Sequence, residues 1–423
     1  MTADTVAAAP KGADRTGLIV LLLATAVFIN YVDRGNLATA APLMKDELGL
    51  NNTQFGLLLS AFFWTYTPGQ VLSGWLAERI NAYRVLTLGL IVWALATAAT
   101  GLASTFAVLL GLRLVLGVGE SAAFPCSSKL LAEFLPSHKL GAANGMIGAG
   151  LALGPAFGTL VGGLLMAQVG WRAVFLVFGL ASLLWLWPWL RATRDHSKQA
   201  DGAMTVPAPG FGEILSKRAL WGAALGHFSA NYSFYFVISW LPLYLVKARG
   251  FSVGQMAELG AVIYVIYAAS SLATGWLCDR WMQAGASANR VRKTFIVAGH
   301  GGVGLCMAGC ALGGPQLSIA SLLVAGVFFG FNTPNIFAIG QTLAGPRAAG
   351  KWVGVQNCVG NVAGIIAPII TGLVLDRTGQ FLWPFAIAGL FGVTGMISWG
   401  LIIPRIAPVS WKASPIRATI AAS

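Results

Sequence analysis

The sequence predicts an all-α membrane protein of twelve transmembrane helices in two six-helix, pseudo-symmetric bundles. Three observations predict it. Of the 423 residues 57% are hydrophobic and only 10% charged, against about 25% charged in an ordinary soluble domain. Apolar segments long enough for a span of about 20 residues recur twelve times along the chain. Short blocks of the first half also return in the second.

The first 16 residues are polar and small and read as a cytoplasmic tail. The apolar run that follows, 17–42, is too long for a signal peptide and ends with no clear cleavage site, so it is read as an uncleaved first helix. The runs 53–78, 84–104, 106–131, 142–168 and 172–190 complete a first bundle, 17–192. A polar stretch with Pro207, Pro209 and scattered charge, 193–216, reads as a cytoplasmic linker. The runs 219–246, 253–278, 294–314, 317–343, 352–375 and 381–403 form a second bundle, 217–404, and 405–423 a cytoplasmic tail. Gly (53 copies) and Pro (18) interrupt the runs without ending them, as membrane helices tolerate.

Gly74-Trp75-Leu76-Ala77-Glu78-Arg79 returns as Gly275-Trp276-Leu277-Cys278-Asp279-Arg280, an offset of 201 at the end of the second helix of each half. Gly141-Ala142-Ala143-Asn144 returns as Gly354-Val355-Gln356-Asn357, and Pro155 as Pro368, both at an offset of 213. Six helices, a linker and six more with internal repeats is the layout of a carrier whose two bundles rock around a midplane site; a duplicated scaffold without transport is the bland alternative.

The net charge of +13 follows the loops and does not form a nucleic-acid-binding patch. With a cytoplasmic N-terminus, nineteen of the 27 Lys and Arg fall on the inner side, among them Lys11, Arg84, Arg292, Lys412 and Arg417, and five outside. Both termini are therefore expected in the cytoplasm. Cys126, Cys278, Cys306, Cys310 and Cys358 lie in or beside helices and imply neither a disulfide framework nor a metal site. No nucleophile and base set, metal cluster or phosphate loop is visible, so an enzyme is not expected, and no cofactor beyond a proton gradient as driving force.

Charges inside apolar runs carry the functional signal: Asp33 and Arg34 in the first helix, Arg113 and Glu120 in the fourth. A charge deep in a bilayer costs roughly 2.5–3.5 kcal/mol on insertion scales, so such residues mark an ion or substrate path or a structural ion pair. Arg34 lies one turn beyond Asn30, and Arg113, Gly117 and Glu120 share a helical stripe with its ends about 10 Å apart. A guanidinium offers a planar fork that matches a carboxylate, which makes Arg34 the natural anchor of an anionic substrate. Carboxylates in a partly dry cavity are pulled between desolvation and a nearby Arg. Asp33 and Glu120 are thus expected to load protons, with Arg113 freed or engaged according to Glu120.

Gly74 to Arg79 followed by Arg84 resembles the signature loop between helices two and three of the major facilitator superfamily, with Glu78 where Asp is usual and Asn81-Ala82-Tyr83 in place of a common Gly and Arg. That resemblance implies gating contacts between bundles by Gly74, Glu78, Arg79, Arg84, Asp279 and Arg280. Asn30-Tyr31-Val32-Asp33-Arg34-Gly35-Asn36-Leu37 and the run from Arg113 to Pro125 are similar to the anion:cation symporter family, as are Trp64-Thr65-Tyr66-Thr67, Asn231, Tyr235, Trp240 to Leu245, and Asn357, Asn361, Gly364 and Pro368. The family resemblance implies proton-coupled symport of a small organic anion, a sugar acid such as an aldonate, aldarate or hexuronate, across a bacterial inner (plasma) membrane, with lipids and protons as the other partners and each chain able to work as a monomer.

Tyr31, Tyr66, Asn231, Tyr235, Asn357 and Asn361 would supply neutral donors and acceptors for substrate hydroxyls, or hydrogen-bond helix to helix. His227 can titrate near neutrality or simply pack. Lys129 is expected to snorkel to the interface. Gly150 to Gly158 in helix five also resembles a motif of drug:proton antiporters, so an exporter or exchanger of anions or drugs remains an alternative, as does a membrane receptor that binds without flux.

Overall fold

The computed structural model describes residues 15–202 and 208–411; Lys11, Lys412 and Arg417, counted above on the inner side, lie outside the described residues. Among the described residues, nine apolar helical runs are long enough to cross a bilayer, and two of these are far too long: 47 residues from Gln54 to Thr100 and 61 from Ser137 to Ser197. At 1.5 Å per residue the shorter would reach about 70 Å, against a hydrocarbon core of about 30 Å. Each folds back on itself. The first reverses at Asn81, whose backbone is extended (φ −178°, ψ 120°) and whose side chain accepts from the Tyr83 amide. The second reverses at Gly170, φ 78° and ψ 161°, where a side chain would be strained. With these two reversals and the helix Arg218–Leu243, the described residues make twelve passes.

We label the helices α1 Thr16–Leu48, α2 Asn52–Leu76, α3 Ala82–Thr100, α4 Phe106–Glu120, α5 Ala123–Phe134, α6 Leu140–Phe157, α7 Gly163–Ser182, α8 Leu186–Gly202, α9 Phe211–Leu215, α10 Arg218–Leu243, α11 Val253–Gln283, α12 Ala288–Leu312, α13 Pro315–Ala344, α14 Ala349–Thr378 and α15 Leu382–Ile397. The fourth pass, expected as one helix, is split into α4 and α5. Pro125 has no N–H to give the Ser121 carbonyl, and the break falls directly after Glu120. The stretch expected as a linker begins as helix, since α8 continues to Gly202, and α9 follows within it. The Pro209 carbonyl accepts from Lys351 Nζ at 2.9 Å.

The N-terminal bundle (α1–α8) and the C-terminal bundle (α10–α15) meet along two seams, α2 on α14 and α6 on α11. Both are drawn together at the end of the molecule that carries the α2–α3 reversal, called here the first end. Glycines make the approach possible. A Cβ on Gly74 would lie 2.4 Å from the Gly350 carbonyl oxygen, and one on Gly275 2.3 Å from that of Gly141. These contacts correct the repeat register. Gly141 corresponds to Gly350 and Gly145 to Gly354 (Cβ of Gly145 3.4 Å from Gly275, of Gly354 3.5 Å from Gly74), an offset of 209, four residues short of the 213 read from sequence. Four residues are about one helical turn, so the two alignments present the same face and sequence alone does not separate them. Gly74→Ala is expected to wedge the seam at an immovable carbonyl, an overpacking of about 1–3 kcal/mol. A differential scanning melt in detergent should show a lower Tm than the parent, and an unchanged Tm would mean that the seam has room to adjust.

The opposite, second end is tied within the N-terminal bundle. Glu47 Oε1 accepts from Arg172 Nε at 2.7 Å and Oε2 from Trp171 Nε1 at 2.6 Å, while Arg172 NH1 donates to the carbonyls of Gly101 and Ala103 at 3.2 and 2.6 Å. The Arg172 and Trp171 hydrogen bonds hold the Glu47 carboxyl below its ordinary value of 4.5. A depressed folded value means that the stabilisation is present above the ordinary value and is lost as pH falls through the folded one. Melting curves of the parent and Glu47→Gln should therefore differ at neutral pH, by the small amount of an exposed pair, and converge in acid.

Candidate substrate and proton site

Four charged side chains of the N-terminal bundle come together near its middle. The one-turn spacing of α1 sets Asn30 under Arg34, and Arg34 NH2 donates to Asn30 Oδ1 at 3.1 Å. The same guanidinium crosses to the break between α4 and α5, where Nε and NH2 both donate to Glu120 Oε2, at 3.2 and 3.1 Å. Three aromatic rings surround it: the Arg34 Cζ lies 4.2 Å from the ring centre of Tyr31 and 4.7 Å from those of Phe62 and Tyr66. Arg34 keeps 15% of its side-chain surface exposed and Glu120 none. One fork atom, Arg34 NH1, is buried without a hydrogen-bond partner, as are Glu120 Oε1 and Asn30 Nδ2. A buried donor left unsatisfied costs roughly 1–3 kcal/mol, so these atoms are poised for another group.

Asp33, about 100° round the helix from Arg34, points away from it into the bundle. It is 2% exposed and its Oδ2 accepts from Thr97 Oγ1 of α3 at 2.9 Å. Arg113 is also buried, within electrostatic reach of both acids. The seven-residue spacing links Arg113 to Glu120 along one face, and the structure adds Arg34 as the residue that hydrogen-bonds Glu120. Gly117, between them on α4, is where α2 presses closest: a Cβ there would be 2.4 Å from the Phe62 carbonyl oxygen.

Beside Arg34 lies a small cavity of about 40 Å³ between the bundles, with Tyr31, Tyr66, Asn231, Tyr235, Asn357, Asn361 and His227 all in its wall. Phe124, Phe234, Tyr267, Phe329, Asn332, Thr333 and Phe337 add to it. Tyr235 Oη donates to Asn361 Oδ1 at 2.7 Å, and Asn361 Nδ2 to Asn357 Oδ1 at 3.0 Å. Asn357 Nδ2 then donates to Gln70 Oε1 on α2. His227 is 3% exposed, its Nδ1 has no partner and its ring meets Phe337 edge-on at 5.5 Å. Phe63 of α2 meets the Tyr235 ring edge-on at 5.4 Å, joining the bundles beside the cavity. Among the described residues no three metal-ligating side chains converge.

At the first end each bundle caps a helix of the other. Glu78 Oε1 accepts from the Gly350 amide at 2.8 Å, at the start of α14. Asp279 accepts from the amides of Gly141 and Ala142 at 2.8 and 2.6 Å, at the start of α6. An anion at a helix N-terminus is stabilised by its free N–H groups and dipole. The cations beside these acids are Lys129 and Arg292, which the sequence placed elsewhere. Lys129 does not snorkel: its Nζ lies 3.0 Å from Glu78 Oε2 and 2.8 Å from Glu133 Oε1, and donates to the Pro346 carbonyl at 2.6 Å. Arg292, counted above among loop charges, is buried in α12 and reaches Asp279 at 3.4 Å and the Ser137 carbonyl at 3.1 Å. Arg79 and Arg280 stay outside the seam, stacked on Trp75 and Trp276 of their own helices at 4.9 and 5.3 Å. Arg84 is exposed in the first turn of α3.

Gln70 and Thr97 were thus missed, and Lys129 and Arg292 were assigned to the interface and the loops. Gln70 and Thr97 carry no charge, so nothing in an apolar run marks them; an acid four residues after a seam glycine, Glu78 after Gly74, was the available signal for a cation such as Lys129.

Twelve passes in two repeated bundles, joined at one end over a central cavity with buried ion pairs, define the protein as a membrane carrier, not an enzyme. The chain belongs to the major facilitator superfamily, whose family model matches residues 23–368 and 283–422. It is 30% identical over 399 residues to the "Probable sulfoacetate transporter" of Cupriavidus necator, covering 90% of this chain and 92% of that protein. It is 27% identical over 423 residues to the "D-galactonate transporter" of Escherichia coli, covering 93% and 97%. The crystal structure of the human organic anion transporter MFSD10 has the same fold, with a TM-score of 0.73, 16% identity and coverage of 92% and 100%.

Proposed function

We propose that the protein is a proton-coupled symporter of a small organic anion, a sugar acid of the aldonate, aldarate or hexuronate type, working by alternating access as a monomer in the inner membrane with both termini cytoplasmic. The bundles are the two moving units and the stretch between them the linker. The observation that carries the reading is that Glu120 holds the guanidinium of Arg34 while Arg34 NH1 has no hydrogen-bond partner, and the Tyr31 and Tyr66 rings stacked on that guanidinium form part of the cavity wall. A substrate carboxylate and an ionised Glu120 compete for one fork. Protonating Glu120 removes its claim, so proton and anion favour each other's binding, which is the thermodynamic requirement of symport.

Asp33 and Arg113 complete a set of two acids and two cations whose formal charges cancel. With both acids protonated and a monoanion bound, the loaded site carries one net positive charge, so uptake would be electrogenic. The names of relatives, carriers of sulfoacetate and galactonate, support an anion, and the wall of Asn231, Asn357, Asn361, Tyr66 and Tyr235 supports a hydroxylated one. On this reading the first end is cytoplasmic and closed in this state by Glu78, Asp279, Lys129 and Arg292.

The test is uptake into proteoliposomes under an inside-alkaline pH gradient, with D-galactonate, glucarate, glucuronate and an aromatic acid offered in turn. Accumulation of one of the sugar acids, enhanced by an inside-negative potential, is the expected result. Accumulation of the aromatic acid alone would overturn the substrate class, and uptake indifferent to the pH gradient would overturn the coupling.

A further inference from the structure

We propose that Gln70 is a positioning residue of the cycle: its bond to Asn357 latches the first end shut until the transported anion claims Asn357. This rests on the reading of the protein as an anion carrier. Gln70 is fully buried on α2, one turn from Tyr66, and does not itself line the cavity. Its partner Asn357, on α14 of the other bundle, does. The bond therefore spans a seam that must part for the first end to open. It sits at a close approach of the seam, since a Cβ on Gly354 would lie 2.5 Å from the Gln70 carbonyl oxygen.

The bond is also the end of a directed chain. Tyr235 donates to Asn361, Asn361 to Asn357 and Asn357 to Gln70, so three cavity-lining side chains converge on one acceptor across the seam. Gln70 Nε2 has no partner, and Gln70 acts here only as an acceptor. A carboxylate or hydroxyl oxygen entering the cavity offers the Asn357 amide another acceptor. Hydrogen bonds to an ionised acceptor are about twice as strong as those between neutral groups, so the anion wins the donor. Asn357 leaves Gln70, and occupancy of the cavity is converted into loosening of the α2–α14 seam.

Distances between nitroxides at Lys139→Cys and Gln283→Cys, exposed first-end positions in opposite bundles, read the latch in a background with the five native cysteines replaced. Without ligand, Gln70→Leu should raise the ratio of separated to closed populations by about fivefold, the worth of one net amide hydrogen bond. Gln70→Glu, which keeps the acceptor, should hold the closed population near the parent's. The double variant Gln70→Leu with Asn357→Leu should open no further than either single change, because both remove one bond. An unchanged distribution in Gln70→Leu, or additive effects in the double variant, would overturn the latch.

D-galactonate added to the parent should shift the same distances, and it should shift them less in Gln70→Leu. If galactonate moves neither the parent nor any solute across proteoliposomes, the sugar-acid reading fails, while the ligand-free comparisons still decide the latch.

Discussion

Arg34→Ala is expected to lower gradient-driven anion uptake by on the order of a hundredfold or more. Truncating one member of a desolvated, hydrogen-bonded charge pair costs about 2–5 kcal/mol, and each 1.4 kcal/mol is tenfold. The loss has two sources. The substrate carboxylate loses its fork, and Glu120, with no exposed surface, is left without the cation that balances it. Arg34→Lys separates them, because it restores a charge without the planar geometry or the stacking on Tyr31, Phe62 and Tyr66. It should recover protein stability better than it recovers uptake. Initial rates of proteoliposome uptake, with melting in detergent as the stability control, decide the matter; an Arg34→Ala protein that accumulates substrate like the parent would remove Arg34 as the anchor.

The second large effect is a change of kind. Glu120→Gln should abolish accumulation against a gradient while leaving exchange of labelled for unlabelled anion across the membrane. A glutamine has the shape of the carboxyl but cannot be ionised, so it imitates the protonated state permanently and never reclaims Arg34. Anion affinity in the parent should weaken as pH rises, since an ionised Glu120 competes for the guanidinium, and should stay flat in Glu120→Gln. Equilibrium binding of the anion identified by the uptake screen, measured by calorimetry across neutral pH, checks this. If the variant keeps the parent's pH profile, the proton acts elsewhere, and Asp33 with its Thr97 hydrogen bond becomes the next residue to change.

How much of the site could be read in advance depended on charge. Asp33, Arg34, Arg113 and Glu120 stood out because each is improbable in an apolar run unless something uses it. Asn357 and Tyr235 could be named only as polar groups with two uses open to them, and the structure gives them both: they line the cavity and are joined by hydrogen bonds through Asn361. Gln70 was invisible because a neutral amide in a membrane helix is unremarkable by itself, and its meaning comes from the helix opposite. The hydrogen-bonded partner of Glu120 was not legible for a related reason. Residues seven apart on one helix are about 10 Å apart along its axis, too far to bond, whereas α1 and α4 bring Arg34 to within 3.1 Å. Lys129 and Arg292 fell on helices near the first end, where lipid headgroups, solvent and buried acids are all within reach of a long side chain.

By itself the sequence determined the membrane class, the twelve passes, the two-fold repeat and the four charges placed inside apolar runs, because hydropathy, length and the cost of a buried charge are properties of local composition. Only the tertiary structure decided who meets whom: Arg34 with Glu120, Asp33 with Thr97, Asn357 with Gln70, and Gly74 with Gly350 one helical turn from the register that the repeats had offered. Those pairings are made between helices, over distances of a few ångströms set by glycine contacts and by the break at Pro125, and periodicity along a single helix carries no information about the surface it will face.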